Sequence, residues 1–313
     1  MNYSTDNDLA KLRNKLLVLG FSEETVKPYI GKEVCILHLG GRTGRHIVII
    51  PSDVEQLNKG NPDIHEMRDY SINMGMIHPF TTALTMLEGT IEVYGGSGLK
   101  TTQYAFANCM PNILDLTHMD TRNVTDMGAM FMMSNIDELK ISNLDTTNVK
   151  DMAYMFTDIN LEKPLDLSGW KTPNLEYTDS MFYEVKFDEL SLNNFDFTNV
   201  KSIAAMFAMA DIEKLELGDF YTPNLENMRG AFLGLETDKL NLGRMTTTKV
   251  KDMSAAFNGL YLGMDETLDL RGITIGENTI TKRIFNDFEW DVRATDERLR
   301  ELLKNSKARI FDD

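Results

Sequence analysis

The chain is poor in the residues that carry chemistry. Only Cys35 and Cys109 occur among 313 residues. They lie far apart, each inside an apolar stretch, which excludes a disulfide framework or a zinc site needing more thiols at closer spacing. Both read as small core residues. The five histidines, His38, His46, His65, His78 and His118, fall in no H-E-x-x-H, H-x-H or Cys/His spacing, so they read as structural or surface groups. No window approaches the ~20 apolar residues that a membrane span needs, and no acylation signal stands at either end. The opening MNYSTDNDLAKLRNKLLVLG shows no basic start, apolar run and cleavage site of a secretory signal. A cytoplasmic protein without membrane attachment is the expectation.

Positive charge is also scarce. The formal charge is -16, from 32 basic and 48 acidic groups. Residues 1–88 hold 9 basic and 11 acidic groups and residues 276–313 hold 8 and 9, which leaves 15 and 28, or -13, in residues 89–275. Such a surface repels a phosphate backbone, so direct nucleic-acid binding is disfavoured, while a basic partner or cations are attracted. Plain solubility is the competing reading of the same charge.

What is present is a repeat. With 42% hydrophobic and 26% charged residues the chain has enough apolar material for a core, and that material is periodic. Pairs of the form L-x-L stand at Leu114/Leu116, Leu139/Ile141, Leu165/Leu167, Leu190/Leu192, Leu215/Leu217, Leu240/Leu242 and Leu268/Leu270, in steps of 25, 26, 25, 25, 25 and 28 residues. Alternation over three residues turns the flanking pair inward and the middle residue outward, which describes one short strand per repeat, stacked into a parallel sheet.

Each strand leads to an apolar corner at Val124, Val149, Leu175, Val200, Leu225 or Val250. Apolar triplets follow at i, i+3, i+4, namely Met127/Met130/Phe131, Met152/Met155/Phe156, Ile203/Met206/Phe207, Met228/Ala231/Phe232 and Met253/Ala256/Phe257. That spacing predicts one short helix per repeat. Asp126, Asp151, Ser202, Asn227 and Asp252 open it and read as helix caps, in preference to a carboxylate site or calcium ladder. In the third repeat Tyr177 takes the cap position and Thr178 the first apolar one, so its helix starts at Thr178 or Asp179. Bulky Met119, Leu144, Trp170, Phe195, Phe220 and Met245 fill the turn after the strand. Asn123, Asn148, Asn174, Asn199 and Asn224 form a ladder expected to satisfy loop amides.

The segments DLTHMDTRNVTDMGAMF, ISNLDTTNVKDMAYMF and NNFDFTNVKSIAAMF resemble the repeat of BspA-like leucine-rich-repeat proteins, a bacterial surface-protein family also found among mycoplasma lipoproteins. The resemblance covers about residues 90 to 275. It implies an α/β, right-handed leucine-rich-repeat-like solenoid with one short strand and one short helix per turn. It also implies adhesion or protein contact, with no catalytic residues to carry over.

Flanking units complete the expected architecture. A degenerate repeat, with Ile91/Val93, corner Leu99 and Phe106, starts the array near Thr90. Before it, residues 8–19 and 23–29 read as helices, and CILHL and HIVII as strands joined by GGRTGR. That turn lacks a Walker or G-x-G-x-x-G spacing and reads as a hairpin, not a phosphate loop. At the other end TDERLRELLKNSKARIF predicts a helix capped by Thr295 or Asp296 and bearing Leu299, Leu302 and Leu303. The division is 1–88, an N-terminal α+β domain or cap; 89–275, the solenoid; and 276–313, a C-terminal helical cap.

No residue is singled out as catalytic or metal-binding and no cofactor is expected. The candidate partner-binding residues are the outward positions of the strand face: Asp115, Thr117, Lys140, Ser142, Asp166, Ser168, Ser191, Asn193, Glu216, Asn241, Asp269 and Arg271. The helical side, a loop edge or the N-terminal unit stay open as alternatives. The expected function is a non-catalytic scaffold holding a protein partner, basic in charge, through an acidic solenoid surface. The alternatives are a phage or mobile-element inhibitor of a basic, nucleic-acid-binding host protein, and a surface adhesin exported without a recognisable signal.

Overall fold

A computed structural model describes residues 35–39, 43–50, 84 and 87–311. The helices expected over 8–19 and 23–29, the tip of the glycine-rich turn at 40–42, and His65 and His78 lie outside the described residues. Within them the chain winds as a parallel solenoid. Strands β1 (Cys35–Leu39) and β2 (Arg45–Ile50) form the expected antiparallel hairpin, and β2 pairs in parallel with β3 (Thr90–Gly95). β4 (Ile113–Met119), β5 (Asn135–Ile136) and β6 (Glu138–Lys140) follow, and β6 completes a five-stranded sheet in the order β1-β2-β3-β4-β6.

Further along, β7 (Asn160–Leu161) pairs with β5, and β8 (Lys186–Ser191) pairs with β9 (Asp211–Glu216). β10 (Thr267–Asp269), β11 (Asp291–Arg293) and β12 (Ile310–Phe311) make the last sheet, with α1 (Glu297–Leu303) between β11 and β12. Asp296 caps α1, its carboxylate accepting from the Leu299 amide at 2.8 Å, and Leu299 and Leu303 are buried.

All seven L-x-L pairs point into the core and are buried. The continuous sheet expected from them is nevertheless interrupted, because Leu165/Leu167 and Leu240/Leu242 lie outside any strand. For the first pair the cause is local: Pro164, immediately before Leu165, has no amide to donate to a neighbouring coil.

The larger correction concerns the helices. The segment holding each apolar triplet is a ribbon of tight turns. In the coil of Met127 the amides of Met130, Met132 and Ser134 bond back three residues to the carbonyls of Met127, Ala129 and Phe131. The intervening amides of Met127, Ala129, Phe131 and Met133 instead leave the coil, donating to the carbonyls of Asp151, Ala153, Met155 and Thr157 of the next one at 2.8 to 2.9 Å. A helix would spend those amides internally. The same four forward bonds recur in seven successive ribbons, which start at Thr102, Met127, Met152, Thr178, Ile203, Met228 and Met253.

Bending the chain this way requires left-handed backbone twice per ribbon. Ala129 and Met133 have φ of 52° and 56°, and Ala205 and Met209 have 52° and 58°. Gly230, Gly234 and Gly259 occupy the equivalent places at 60°, 60° and 64°, where glycine carries no Cβ penalty. The i, i+3, i+4 apolar spacing survives because a ribbon of three-residue turns also puts those three side chains on one side.

The inner side of the ribbons forms a spine of stacked rings. Phe106, Phe131, Phe156, Phe182, Phe207, Phe232, Phe257 and Phe285 follow one another at centroid spacings of 5.9, 5.6, 5.5, 5.7, 5.9, 5.5 and 5.6 Å. All eight are buried, and each such side chain contributes roughly 1.5–3 kcal/mol by leaving water.

Polar ladders tie the coils at the corners. The amide nitrogens of Asn123, Asn148, Asn174, Asn199 and Asn224 donate to the carbonyls of Ser97, Arg122, Thr147, Pro173 and Thr198 one coil back, at 2.8 to 2.9 Å. The asparagines therefore satisfy loop carbonyls, where loop amides were expected. Buried Thr146 donates to the Lys171 carbonyl at 2.8 Å and accepts from the Lys171 amide at 3.0 Å.

Candidate protein-binding surface

The strand-face positions expected to meet a partner form one strip on the outside of the solenoid, all half-buried or exposed. They gather into three groups. In the first, Asp115 accepts from the Thr117 amide and hydroxyl at 2.9 and 2.6 Å, and Lys140 Nζ stands 3.9 Å from Asp115 Oδ2. In the second, Asp166 accepts from the Ser168 amide at 3.0 Å, with Ser142 beside it. In the third, Glu216 Oε2 accepts from Ser191 Oγ at 3.2 Å and Asn193 Nδ2 at 2.5 Å. Asn241 stands apart, accepting from the Gly243 amide at 2.9 Å, and Asp269 closes the strip in a fork with Arg271, Nη2 to Oδ2 at 2.6 Å.

A local rule explains this arrangement. Asp115, Asp166, Asn241 and Asp269 each accept from the backbone amide two residues on, the short side chain bending the strand end into the corner. Hydrogen bonds from Ser168 hold the Asp166 carboxyl below the usual range, and the Arg271 fork does the same for Asp269. Both present fixed negative charge.

Beside the strip runs a second acidic column that residue-by-residue reading missed, with Asp188 and Glu213 inside β8 and β9 and Asp137 just before β6. Asp137, Asp188, Glu213 and Asp238 stand two residues before the first leucine of their pairs. The 25-residue register that reveals the leucines reveals them equally.

The cap residues bond as capping side chains do, without a helix behind them. Asp126, Asp151, Asn227 and Asp252 accept from the amides of Gly128, Ala153, Arg229 and Ser254 at 2.9, 2.9, 3.1 and 2.8 Å. With Tyr177 and Ser202 between Asp151 and Asn227, they form a run of parallel bridges from Thr101 to Ile280. Among the described residues no group of three or more His, Cys, Asp or Glu is placed to hold a metal ion.

Another missed column sits just after the corner, where Lys150, Glu176, Lys201, Glu226 and Lys251 alternate in sign up the stack. Lys150 and Lys201 reach Glu176 at 3.4 and 2.5 Å, and Lys251 pairs with Glu226. The Lys201 bond draws the Glu176 carboxyl below its ordinary value.

At the N-terminal end of the face Arg45 forks onto Glu92 at 2.5 and 2.7 Å, and Tyr94 Oη donates to Glu92 at 2.9 Å. The exposed His118 ring stacks on Tyr94 at 4.6 Å. Burial pushes Glu92 up, but the bonds from Arg45 and Tyr94 outweigh it. His46 is buried, its ring nitrogen 3.1 Å from the Glu88 carbonyl oxygen.

Fold and surface together define a parallel repeat solenoid with an ordered, mainly acidic polar face. The model of a family described as "Mycoplasma protein of unknown function, DUF285" matches residues 100–220 and 210–262, and the chain belongs to that family. No curated protein and no solved structure matches. No helix among the described residues is long and apolar enough to cross a membrane.

Proposed function

We propose that this protein is a non-catalytic scaffold that holds a protein partner, basic where it docks, against the acidic strand face. The observation that carries this reading is the fixed column of Asp166, Glu216 and Asp269, with Asp137, Asp188, Glu213 and Asp238 beside it. The coils set these carboxylates on a repeating lattice, and such a surface steers and orients a cationic partner. The resemblance to BspA-like leucine-rich repeats supports the same kind of use.

Affinity purification from the native host tests it, with the wild-type chain beside a D166N/E216Q/D269N variant. The expected result is one specific partner whose retention falls with added salt and with the triple substitution. Retention unaffected by both moves the site off the strand face. The partner's identity separates an inhibitor of a nucleic-acid-binding protein from a general scaffold. Fractionation of the host separates either from a surface adhesin.

A further inference from the structure

The ribbon ladder has a direction. In each of the seven bonded ribbons all four linking amides donate toward the C-terminal end and all four accepting carbonyls face the N-terminal end. Amide dipoles that largely cancel in a β-sheet therefore add here, leaving a partial positive end at the last ribbon.

That last ribbon, residues 280–287, has Thr281, Arg283, Phe285 and Asp287 at the donor positions, and none of their amides has an acceptor among the described residues. α1 follows β11 where the next ribbon would come, and a helix bonds its carbonyls internally, so it offers no row of acceptors. Phe285 is buried against Phe288, while the rim stays open around Thr281 and Arg283, where Lys282 and Arg283 are exposed. Lys282 and Arg283 have no ion-pair partner among the described residues. The surrounding segment 276–313 is nearly neutral, with 8 basic and 9 acidic groups, so an anion approaching this end escapes most of the array's repulsion.

We propose that this end binds an acidic polypeptide segment of a partner protein. Its oxygens accept from the amides of Thr281 and Arg283, and its carboxylates pair with Lys282 and Arg283. Charge complementarity selects this occupant. A second copy of the same end brings donors against donors, and the exposed Asp287 carboxylate confines an acidic chain to the Thr281 side. The inference rests on the protein-binding reading but uses a surface of opposite sign, so either can fail alone.

The test is residue-resolved amide hydrogen exchange on the full chain, with a blocked hexaglutamate peptide as probe. In the free protein the amides of Thr281 and Arg283 exchange fast, while Met253 and Ala255 at the equivalent bonded positions exchange slowly. Saturating hexaglutamate slows these two terminal amides about tenfold, since exchange then proceeds only from the free fraction. The effect disappears in ~0.5 M salt and in K282Q/R283Q, whose thermal unfolding matches the wild type. Slow exchange in the free protein, no change with peptide, equal protection by hexalysine, or equal protection by inorganic phosphate each overturns the proposal.

Discussion

The rings of Phe182 and Phe207, one coil apart, lie 5.7 Å between centroids and 6° from parallel. Phe182 also stacks on Phe156 at 5.5 Å on its other side, so it is held within a column and has no free face. Phe182→Ala removes two ring contacts and opens a cavity in the middle of the array. The expected loss is about 3–5 kcal/mol, measured by urea unfolding. A loss under about 1 kcal/mol means that the spine contributes little to holding the coils in register.

The alternating column predicts acid sensitivity with a definite sign. Glu176 binds its proton less readily in the folded chain than its ordinary value of 4.5, because Lys201 and then Lys150 favour the carboxylate. The unfolded chain therefore takes up protons first as pH falls. The stabilisation is complete above that ordinary value and is lost as pH drops through the folded one. Urea midpoints followed from about pH 6 to about pH 3 decline in the wild type, and part of the decline is absent in Glu176→Gln. Identical curves contradict the assignment.

Cys109 offers a chemical probe of the core. Its side chain is buried, and burial pushes the thiol pKa up to about 12, so almost no reactive thiolate is present at neutral pH. In a Cys35→Ser background iodoacetamide is expected to leave the native protein unmodified and to label it after denaturation. Rapid labelling of the native protein shows that the coil of Phe106 opens readily.

The leucine pairs, the corners, the bulky turn positions and the phenylalanine register were legible in the sequence because one 25-residue period carries them all, and burial follows period directly. The helix was misread because the triplet spacing cannot separate a helix from a ribbon of three-residue turns. Asp126 and Asp252 added to the error, since a side chain accepting from the amide two residues on suits either structure. The correcting signal lay in Gly230, Gly234 and Gly259, which fall at fixed ribbon positions and mark left-handed backbone. The strand face was placed on the outside, but the bonds that Asp115, Asp166 and Asp269 accept from the amides two residues on were not read, because leucine alternation describes a straight strand and not the corner that ends it. Asp188 and Glu213 stand in the same register but are less legible, because that outward position varies in residue type from coil to coil, with Asn112 and Lys163 in the same place, while the buried leucines do not.

The directional ribbon is the claim on which the fold and the open terminal edge both depend, and Ala205 tests it most directly. Ala205 sits at φ 52°, a conformation costing a non-glycine residue roughly 1–2 kcal/mol. Ala205→Gly relieves that cost and loses part of the gain to unfolded-chain entropy. Urea unfolding of Ala205→Gly, with Ala255→Gly at φ 56° as a second site, is expected to show stability unchanged or raised by up to about 1 kcal/mol. A loss of about 1 kcal/mol at both sites, as glycine produces inside a helix, would contradict the ribbon.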